Sequence, residues 1–274
     1  MVFTVRDFYV EGFMSDILKE LADYACKRVE KAKQIISPEQ MKMLAEKQTK
    51  RAECSFYEAL SQKGMSFICE CKKASPSKGI IAEDFPYTEI AKDYEESGAA
   101  AISVLTEPKW FLGSLDYLRE IRDTVRLPLL RKDFTVDEYM IYEAREAGAD
   151  AILLIVSLLD DERLKDYIRI TRSLGMDALV ETHDEEEIRT ACRAGADIIG
   201  VNNRNLRNFT VDLNNSVRLR SLVPENILFV AESGIRSREN IETLERGNIN
   251  AVLIGEQLMR SGNRKEMLRS LKGE

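Results

Sequence analysis

Two charged residues that are well placed for catalysis, Glu70 and Lys72, precede a loop of Ser, Pro, Lys and Gly that ends at Gly79. The alternating pattern of residues 66–72 predicts a β-strand in which Ile68, Glu70 and Lys72 share one face. A carboxylate and an ammonium group are rarely buried without partners, so this face either lines a wet cleft or holds an internal ion pair. The loop favours the cleft, because its residue types suit contacts with an oxyanion.

The composition limits the classes of partner and of location. Among 274 residues, 40 Lys and Arg stand against 47 Asp and Glu, and the net charge of −7 argues against nonspecific binding of nucleic acid or of anionic membranes. Residues 1–13 lack the pattern of a secretion signal, and we expect no membrane span. Five scattered cysteines indicate a reduced, cytoplasmic protein, and their spacing predicts no metal site.

The first 65 residues have the pattern of three helices. Ser15 is the predicted cap of the first helix, and the run Ser37–Gln40 predicts a capping box with proline at the first helical position of the second. The third is expected around Phe56. No linker rich in Gly, Pro or Ser follows, so we interpret residues 1–65 as a helical extension packed on the main domain, which comprises residues 66–274.

From residue 66 the chain repeats one unit, a helix that ends in glycine followed by a short apolar strand. Glycine suits a helix end because it adopts the left-handed conformation, and uniformly apolar strands are typical of a parallel sheet covered on both faces. Eight such units predict an α/β fold, a (β/α)8 TIM barrel with an N-terminal helical extension. The alternative is an open doubly wound sheet, but no Gly-x-Gly-x-x-Gly motif follows any strand.

Six of the eight predicted strands end in polar or charged residues. In a barrel the active site lies at the C-terminal ends of the strands, so these groups are expected to converge on one mouth. Phosphate is expected at the last two strands, where Ser233, Gly234 and Gly255 would offer backbone N–H groups at helix N-termini. The polar ends are residues 70–72, 131–134, 181–183, 202–205, 232–234 and 254–256.

Lys72 and Lys132 are predicted to meet three carboxylates at this mouth, those of Glu70, Glu181 and Glu232. Neighbouring charges shift proton affinities in both directions, and such a mixture suits general acid and base catalysis at a carbonyl group. A lysine can equally form a Schiff base. The local sequence does not decide between an acid lysine and a nucleophilic one.

His183 is the only histidine of the chain, and it lies between a strand end and the acidic run 184–187. We interpret His183 as a surface or capping residue, with a catalytic role as the alternative. Acidic residues at a helix start are favoured by the helix dipole, which explains the run without assigning it a site.

Seven motifs lie at or near the strand ends. They are Glu-x-Lys-Lys-x-Ser-Pro-Ser at 70–77, Ser-Val-Leu-Thr-Glu-Pro-Lys at 103–109, Phe-x-Gly-Ser at 111–114, Leu-Leu-Arg-Lys-Asp-Phe at 129–134, Leu-Val-Glu at 179–181, Asn-Asn-Arg-Asn-Leu at 202–206 and Ala-Glu-Ser-Gly-Ile at 231–235. In this order they resemble the motifs of the indole-3-glycerol phosphate synthase family, and the resemblance runs from about Ile17 to Met259. One departure is Gln257, where family members more often have serine.

The resemblance implies ring closure of 1-(2-carboxyphenylamino)-1-deoxyribulose 5-phosphate to indole-3-glycerol phosphate, with loss of carbon dioxide and water, in tryptophan biosynthesis. The aryl carbon must attack a ketone, whose oxygen then needs a proton. By resemblance Lys132 is the general acid, and we expect its pKa to be lowered. Glu181 is implied to manage protons during dehydration, and Glu70 to orient the lysines and assist proton transfer. Lys72 is implied to hold anionic groups of the substrate and to serve as an acid in dehydration.

The other motif positions are implied to bind the substrate. Asn202 and Ser233 would orient its oxygens, and they complete the predicted catalytic set. Ser75 and Arg204 would contact its carboxylate or hydroxyl groups. The predicted substrate- and phosphate-binding residues are Lys72, Ser75, Phe111, Arg204, Glu232, Ser233, Gly234 and Gly255.

An apolar wall for the aromatic ring is expected from Leu105, Phe111 and Leu130, with loop packing as the alternative for Phe111. No metal and no organic cofactor is implied. The expected partner is a phosphorylated small molecule, and the chain is expected to be a monomer or a weak homo-oligomer.

Three rival functions remain open: phosphoribosylanthranilate isomerase, a Schiff-base aldolase, and a catalytically silent barrel. Fold alone would not separate them from the synthase. A silent barrel would be expected to have lost Lys132 or Glu181, and both residues are present.

Overall fold

In the computed structural model, which describes residues 16–49, 52–205 and 209–274, eight parallel strands close into a barrel. Each strand pairs with its neighbours in chain order, and the first pairs with the last. The predicted (β/α)8 fold is thereby confirmed. The strands are β1 (Ser66–Cys71), β2 (Ala101–Leu105), β3 (Leu129–Lys132), β4 (Ala151–Ile155), β5 (Asp177–Thr182), β6 (Ile198–Asn202), β7 (Leu228–Glu232) and β8 (Ala251–Ile254).

Helices alternate with these strands and enclose the barrel. Among the described residues they are α1 (Asp16–Ile35), α2 (Pro38–Lys47), α3 (Phe56–Leu60), α4 (Tyr87–Glu96), α5 (Leu115–Thr124), α6 (Glu138–Glu146), α7 (Asp161–Ser173), α8 (Glu185–Ala194), α9 (Asn214–Arg220), α10 (Arg238–Arg246), α11 (Glu256–Arg260) and α12 (Arg264–Lys272). The predicted capping box of α2 is confirmed, since Ser37 and Gln40 hydrogen-bond each other's backbone N–H groups. Ser15, the predicted cap of α1, lies outside the described residues, as does Leu206.

Two of the three N-terminal helices, α1 and α3, contact the barrel domain through a charged side chain and through a backbone group. Lys33 Nζ of α1 lies 2.7 Å from Asp137 Oδ2, at the start of α6. The backbone N–H of Tyr57, in α3, donates to Asp177 Oδ2 of β5 over 2.9 Å. The boundary at residue 65 between an extension and a main domain stays a prediction.

The strands are buried almost throughout, which accounts for their apolar sequences. Their register sets Glu70 beside Ser103, and Asn202 beside Glu232, at the same end of the barrel. Polar side chains from separated parts of the chain therefore meet above the apolar core. No described helix is long and apolar enough to cross a membrane.

Candidate active site

A cavity of about 440 Å³ opens at the C-terminal ends of the strands. Its position is the one expected for the active site of a barrel. The residues predicted as catalytic and those predicted to bind substrate or phosphate all line this one cavity, and Leu130 of the predicted apolar wall does not. The predicted residues that line it are Glu70, Lys72, Ser75, Phe111, Lys132, Glu181, Asn202, Arg204, Glu232, Ser233, Gly234 and Gly255.

Lys132, at the end of β3, is surrounded by carboxylates. Its Nζ lies 3.2 Å from Glu181 Oε2 and 3.5 Å from Glu232 Oε2. Burial by itself would lower the pKa of Lys132, but Glu181, Glu232 and Glu70 more than offset it, and the pKa is raised. The expectation of a lowered pKa was therefore wrong, because three negative neighbours outweigh the loss of solvation.

Glu70 and Lys72, two positions apart in the chain, form an ion pair, with 2.6 Å between Glu70 Oε1 and Lys72 Nζ. Both residues also line the cavity. This face of the strand therefore does both things that the sequence allowed: it lines a cleft and it holds an ion pair. The second carboxylate oxygen of Glu70 accepts a hydrogen bond from Ser103 Oγ over 3.3 Å. Gly255 packs against the pair: a Cβ atom there would collide with Glu70 Oε1 and would lie 3.0 Å from Lys72 Nζ. A larger residue at this position would therefore displace the pair.

Both carboxylate oxygens of Glu181, at the end of β5, have polar partners. Oε2 faces Lys132, and Oε1 accepts a hydrogen bond from Asn202 Nδ2 over 3.2 Å. Burial alone would raise the pKa of Glu181, but Lys132, His183 and the Asn202 hydrogen bond reverse this, and the pKa is lowered. Glu181 is therefore a carboxylate at neutral pH and can accept a proton.

Glu232, at the end of β7, differs from Glu181 in its protonation state. Its Oε1 is buried and makes no hydrogen bond with the described residues. Burial, reinforced by the negative charges of Glu181 and Glu70, outweighs Lys132 and raises the pKa of Glu232 to about 8. The side chain is mostly a neutral carboxyl group at pH 7, so it can donate a proton in a hydrogen bond.

The phosphate-side loops have an unusual backbone. Ser233 and Gly234 both have positive φ, of 69° and 85°, a conformation that is uncommon for a residue other than glycine and recurs at functional sites. A Cβ atom at Gly234 would collide with Val211. Gly255 precedes α11 directly, as predicted, whereas α10 begins only at Arg238, after the Ser237 cap. The prediction that residues 233 and 234 lie at a helix N-terminus was therefore wrong, because a turn separates them from the helix.

The rim of the cavity carries further charges. Glu256 Oε2 lies 3.8 Å from Arg204 Nη2, and Glu256 Oε1 lies 3.8 Å from Lys78 Nζ. Ser75 belongs to a small antiparallel hairpin in which it pairs with Gly79. Gln257 lines the cavity as well, and its amide contacts the sulfur of Met267. The named rim residues therefore carry more positive than negative charge, with Glu256 between two basic side chains.

The aromatic side of the cavity differs in part from the predicted wall. Leu105 and Phe111 line the cavity, with the ring of Phe134 centred 6.1 Å from that of Phe111. Leu130 is fully buried and is not among the lining residues, so its prediction was wrong. Leu130 is two positions before Lys132 on the same strand face, and it lies one layer deeper in the barrel. Leu153 is a lining residue that the sequence interpretation missed.

Comparison with known proteins decides the family. The family model of indole-3-glycerol phosphate synthase matches residues 18–271. The chain belongs to this family. The indole-3-glycerol phosphate synthase of Endomicrobium trichonymphae is 57% identical, over 89% of this chain and 95% of that protein. The one of Ruminiclostridium cellulolyticum is 53% identical, over 94% and 99%.

Solved structures of other enzymes share the architecture. A crystal structure of 3-hexulose-6-phosphate synthase has a TM-score of 0.63 at 14% identity and covers 76% of this chain and 99% of its own. Such a likeness shows the fold alone. Membership of the indole-3-glycerol phosphate synthase family confirms what the motifs implied: a decarboxylating lyase of tryptophan biosynthesis that acts on a phosphorylated small molecule.

Two charged residues near this synthase site make contacts that the sequence did not predict. His183, predicted as a surface or capping residue, does bind the start of α8, since Glu187 accepts its backbone N–H. Its ring, however, turns inward and lies 3.5 Å from Glu181 Oε1. A position two residues after Glu181 is the signal that would have placed it there. Glu107 is the other: its buried carboxylate accepts the backbone N–H groups of residues 109–111 and so fixes the loop that carries Phe111.

Proposed function

We propose that this chain converts 1-(2-carboxyphenylamino)-1-deoxyribulose 5-phosphate to indole-3-glycerol phosphate, with Lys132 as the general acid. The observation that carries the assignment is the position of Lys132 Nζ, inside the cavity and within 3.5 Å of Glu181 and Glu232. The raised pKa keeps this lysine protonated in the resting protein. The general acid therefore already carries its proton before the substrate binds.

In the first step the aryl carbon that bears the carboxylate attacks the ketone carbon. The Lys132 ammonium group gives its proton to the ketone oxygen, which becomes a hydroxyl group. Loss of carbon dioxide then returns an electron pair to the ring and restores its aromaticity. The alkoxide that would otherwise form is far more basic than an amine, so a lysine with a raised pKa still suffices as the donor.

In the second stage the new hydroxyl group leaves as water. Lys72 donates the proton to the departing oxygen, and Glu181 takes a proton from the neighbouring carbon, which forms the double bond of the indole. Glu181 is suited to this because its pKa is lowered. Glu70 holds Lys72 at 2.6 Å and so orients the donor.

Binding groups surround these two centres. The phosphate is placed at the backbone N–H groups of Gly234 and Gly255, next to Ser233, and Asn202 orients a substrate hydroxyl group. The neutral carboxyl group of Glu232 donates to a second substrate oxygen, which gives a partner to Oε1, an atom without a hydrogen bond to the described residues. Arg204 and Ser75 contact the carboxylate or hydroxyl groups, and Phe111 packs on the aromatic ring.

The remaining expectations concern the state of the protein. We place the chain in the cytoplasm, as a monomer or a weak homo-oligomer that binds neither nucleic acid nor membranes. The net charge of −7 and the five scattered cysteines, an odd number, support this placement.

The test is to mix the purified protein with the substrate in metal-free buffer and to follow indole fluorescence. Lys132→Ala should lower kcat by a factor of about 10² to 10⁴, the usual contribution of a positioned acid. Lys165→Ala, at an exposed lysine of α7, is the matched control and should leave the rate unchanged. A folded wild-type protein that binds the substrate without forming indole would sink the assignment.

Schiff-base chemistry is tested in the same preparation. Borohydride added during turnover should leave Lys132 unmodified, because an acid lysine forms no imine with the ketone. A covalent adduct at Lys132, found by peptide mass spectrometry, would replace the general-acid assignment with a nucleophilic one.

A further inference from the structure

The histidine ring of this chain is held between two carboxylates. His183 Nε2 lies 3.5 Å from Glu181 Oε1, and Nδ1 lies 3.0 Å from Glu187 Oε2. The ring is mostly buried, with 20% of the side chain exposed. Its Nε2 atom is shielded from solvent and has no well-aligned hydrogen bond to the described residues. The polar group that this atom faces is the carboxylate that the proposed mechanism uses as a base.

The backbone around the ring is also fixed. The N–H group of His183 donates to Glu187 Oε2 over 2.8 Å, and its carbonyl oxygen accepts from Asn215 Nδ2 of α9 over 3.3 Å. Glu187 thus holds both the backbone and the ring of His183. Freedom of the imidazole to turn away from Glu181 is correspondingly small.

The charges that face the ring are negative. They come from Glu181 at the end of β5, from Glu187 in the first turn of α8 and, farther away, from Glu232 at the end of β7. Burial would lower the pKa of His183, but these carboxylates more than offset it and the pKa is raised. Lys132, on the far side of Glu181, completes a row of alternating charges.

We propose that His183 is a positioning residue for Glu181: its imidazolium, held by Glu187, orients the Glu181 carboxylate and keeps it ionised as a base. This rests on the role of Glu181 proposed above. The arrangement leaves Glu181 between two cations, Lys132 at Oε2 and His183 at Oε1. Loss of either cation makes protonation of Glu181 easier.

One experiment reads the ring directly. Because the chain contains a single histidine, untagged protein labelled at histidine gives one imidazole signal by NMR, whose titration needs no activity. We expect its pKa to lie above the ordinary value of about 6.5 and to fall in both Glu181→Gln and Glu187→Gln. Glu185→Gln, on the same helical turn but paired with Arg189 and Arg218, is the matched control and should leave it unchanged.

A second experiment reads the effect on Glu181. In His183→Gln the acid limb of the kcat profile should move to higher pH by about one unit, because a neighbouring positive charge is lost. Glu187→Gln should move it less, and Glu185→Gln should not move it. An imidazole that titrates at its ordinary value regardless of Glu181, or an acid limb that stays in place in a folded His183→Gln protein, would overturn the proposal.

Failure of the proposed function has a different signature. Full activity of Glu181→Gln would remove the catalytic role of Glu181, and this inference with it. An inactive Glu181→Gln protein combined with an unmoved acid limb in His183→Gln would instead overturn only the role of His183.

Discussion

Lys132 and Asp133 are neighbours in the chain, yet their side chains lie in contrasting charge environments. The Lys132 ammonium group enters the cavity, where it meets Glu181 and Glu232. The Asp133 carboxylate turns the other way. Arg28 of α1 binds it with two hydrogen bonds, of 2.6 and 3.1 Å, and further donors reach it from Thr106 at 2.6 Å and Arg131 at 3.3 Å.

The difference lies in how completely each charge is compensated. Asp133 has no solvent exposure and is bound by two guanidinium groups and a hydroxyl group, which hold its pKa well below the usual range against the opposing effect of burial. The Lys132 cluster is less completely satisfied: Glu232 is mostly uncharged at pH 7, and its Oε1 has no hydrogen bond to the described residues. A buried carboxylate whose oxygens are bound by several donors rigidifies a fold, whereas a carboxyl group with an unsatisfied oxygen facing a cavity has room for a substrate. We therefore expect the contacts of Asp133 to govern stability and the Lys132 cluster to govern activity.

The strongest test of this difference is to replace Asp133 by an uncharged residue. Asp133→Asn should lower the free energy of unfolding by about 3 to 5 kcal/mol, because Arg28 loses this carboxylate and Arg131 keeps only its ion pair with Glu143 among the described residues. Lys132→Met should cost less stability, since the remaining carboxylates can take up protons. Asp166→Asn, in an exposed pair with Arg169, is the control and should cost less than about 1 kcal/mol. Urea unfolding measures all three, and equal losses at positions 132 and 133 would contradict the comparison.

The same variant has a defined pH dependence. A carboxyl group whose pKa is lowered on folding stabilises the protein above its unfolded value of about 3.9, and this contribution is lost as the pH falls below it. The difference in stability between the wild type and Asp133→Asn should therefore be full at pH 7 and should shrink towards acid pH. A difference that stays constant down to pH 3 would show that the charge of Asp133 is not its cause.

On the catalytic side, Gly255→Ala should disturb the Glu70–Lys72 pair. The new methyl group would collide with Glu70, so the pair must shift, and a displacement of this kind can cost about 10²-fold in kcat/KM. Stability should change little. Gly262→Ala, where nothing lies within 4 Å of the added atom, is the matched control. An unaltered rate in Gly255→Ala would show that the position of the pair is not critical.

Removal of one partner of Asp133 should have an intermediate effect on stability. Arg28→Met deletes two charge-assisted hydrogen bonds but leaves those from Thr106 and Arg131, so we expect a loss of about 2 kcal/mol. Lys27→Met, at the exposed neighbouring position, is the control. A loss as large as that of Asp133→Asn would mean that Arg28 alone compensates the carboxylate.

Glu232→Gln is expected to change the pH dependence of stability and to have its smallest effect at acid pH, where glutamine resembles the neutral carboxyl group. Since the pKa of Glu232 is raised to about 8, the folded protein keeps a proton that the unfolded chain loses near pH 4.3, and the free energy of unfolding falls between about 4.3 and 8. Glutamine stays uncharged, so part of this decline should disappear in the variant. Urea unfolding at pH 5 and pH 9 measures it, with the exposed Glu162→Gln as control. An identical decline in all three proteins would show that Glu232 is ionised at neutral pH.

Much of the architecture and most of the site could be predicted from local pattern. The strand at Ser66, the polar strand ends and the capping box at Ser37 each depend on neighbours a few positions apart, so periodicity identifies them. Leu130 was misplaced because alternation gives the face of a strand and not the depth in the barrel. The turn at Ser233 was misread because its length depends on where the Ser237 cap starts the next helix.

What the sequence by itself determined is the set of chemical groups and the end of the barrel at which they meet. Apolar periodicity and helix-ending glycines decide that, because both act over a few residues. Only the tertiary structure decided the charge state of each group. Arg28 reaches Asp133 across 105 positions, and three carboxylates from three strands raise the pKa of Lys132 instead of lowering it. Such shifts depend on burial and on distances of a few ångströms between groups far apart in sequence, and no local pattern contains them.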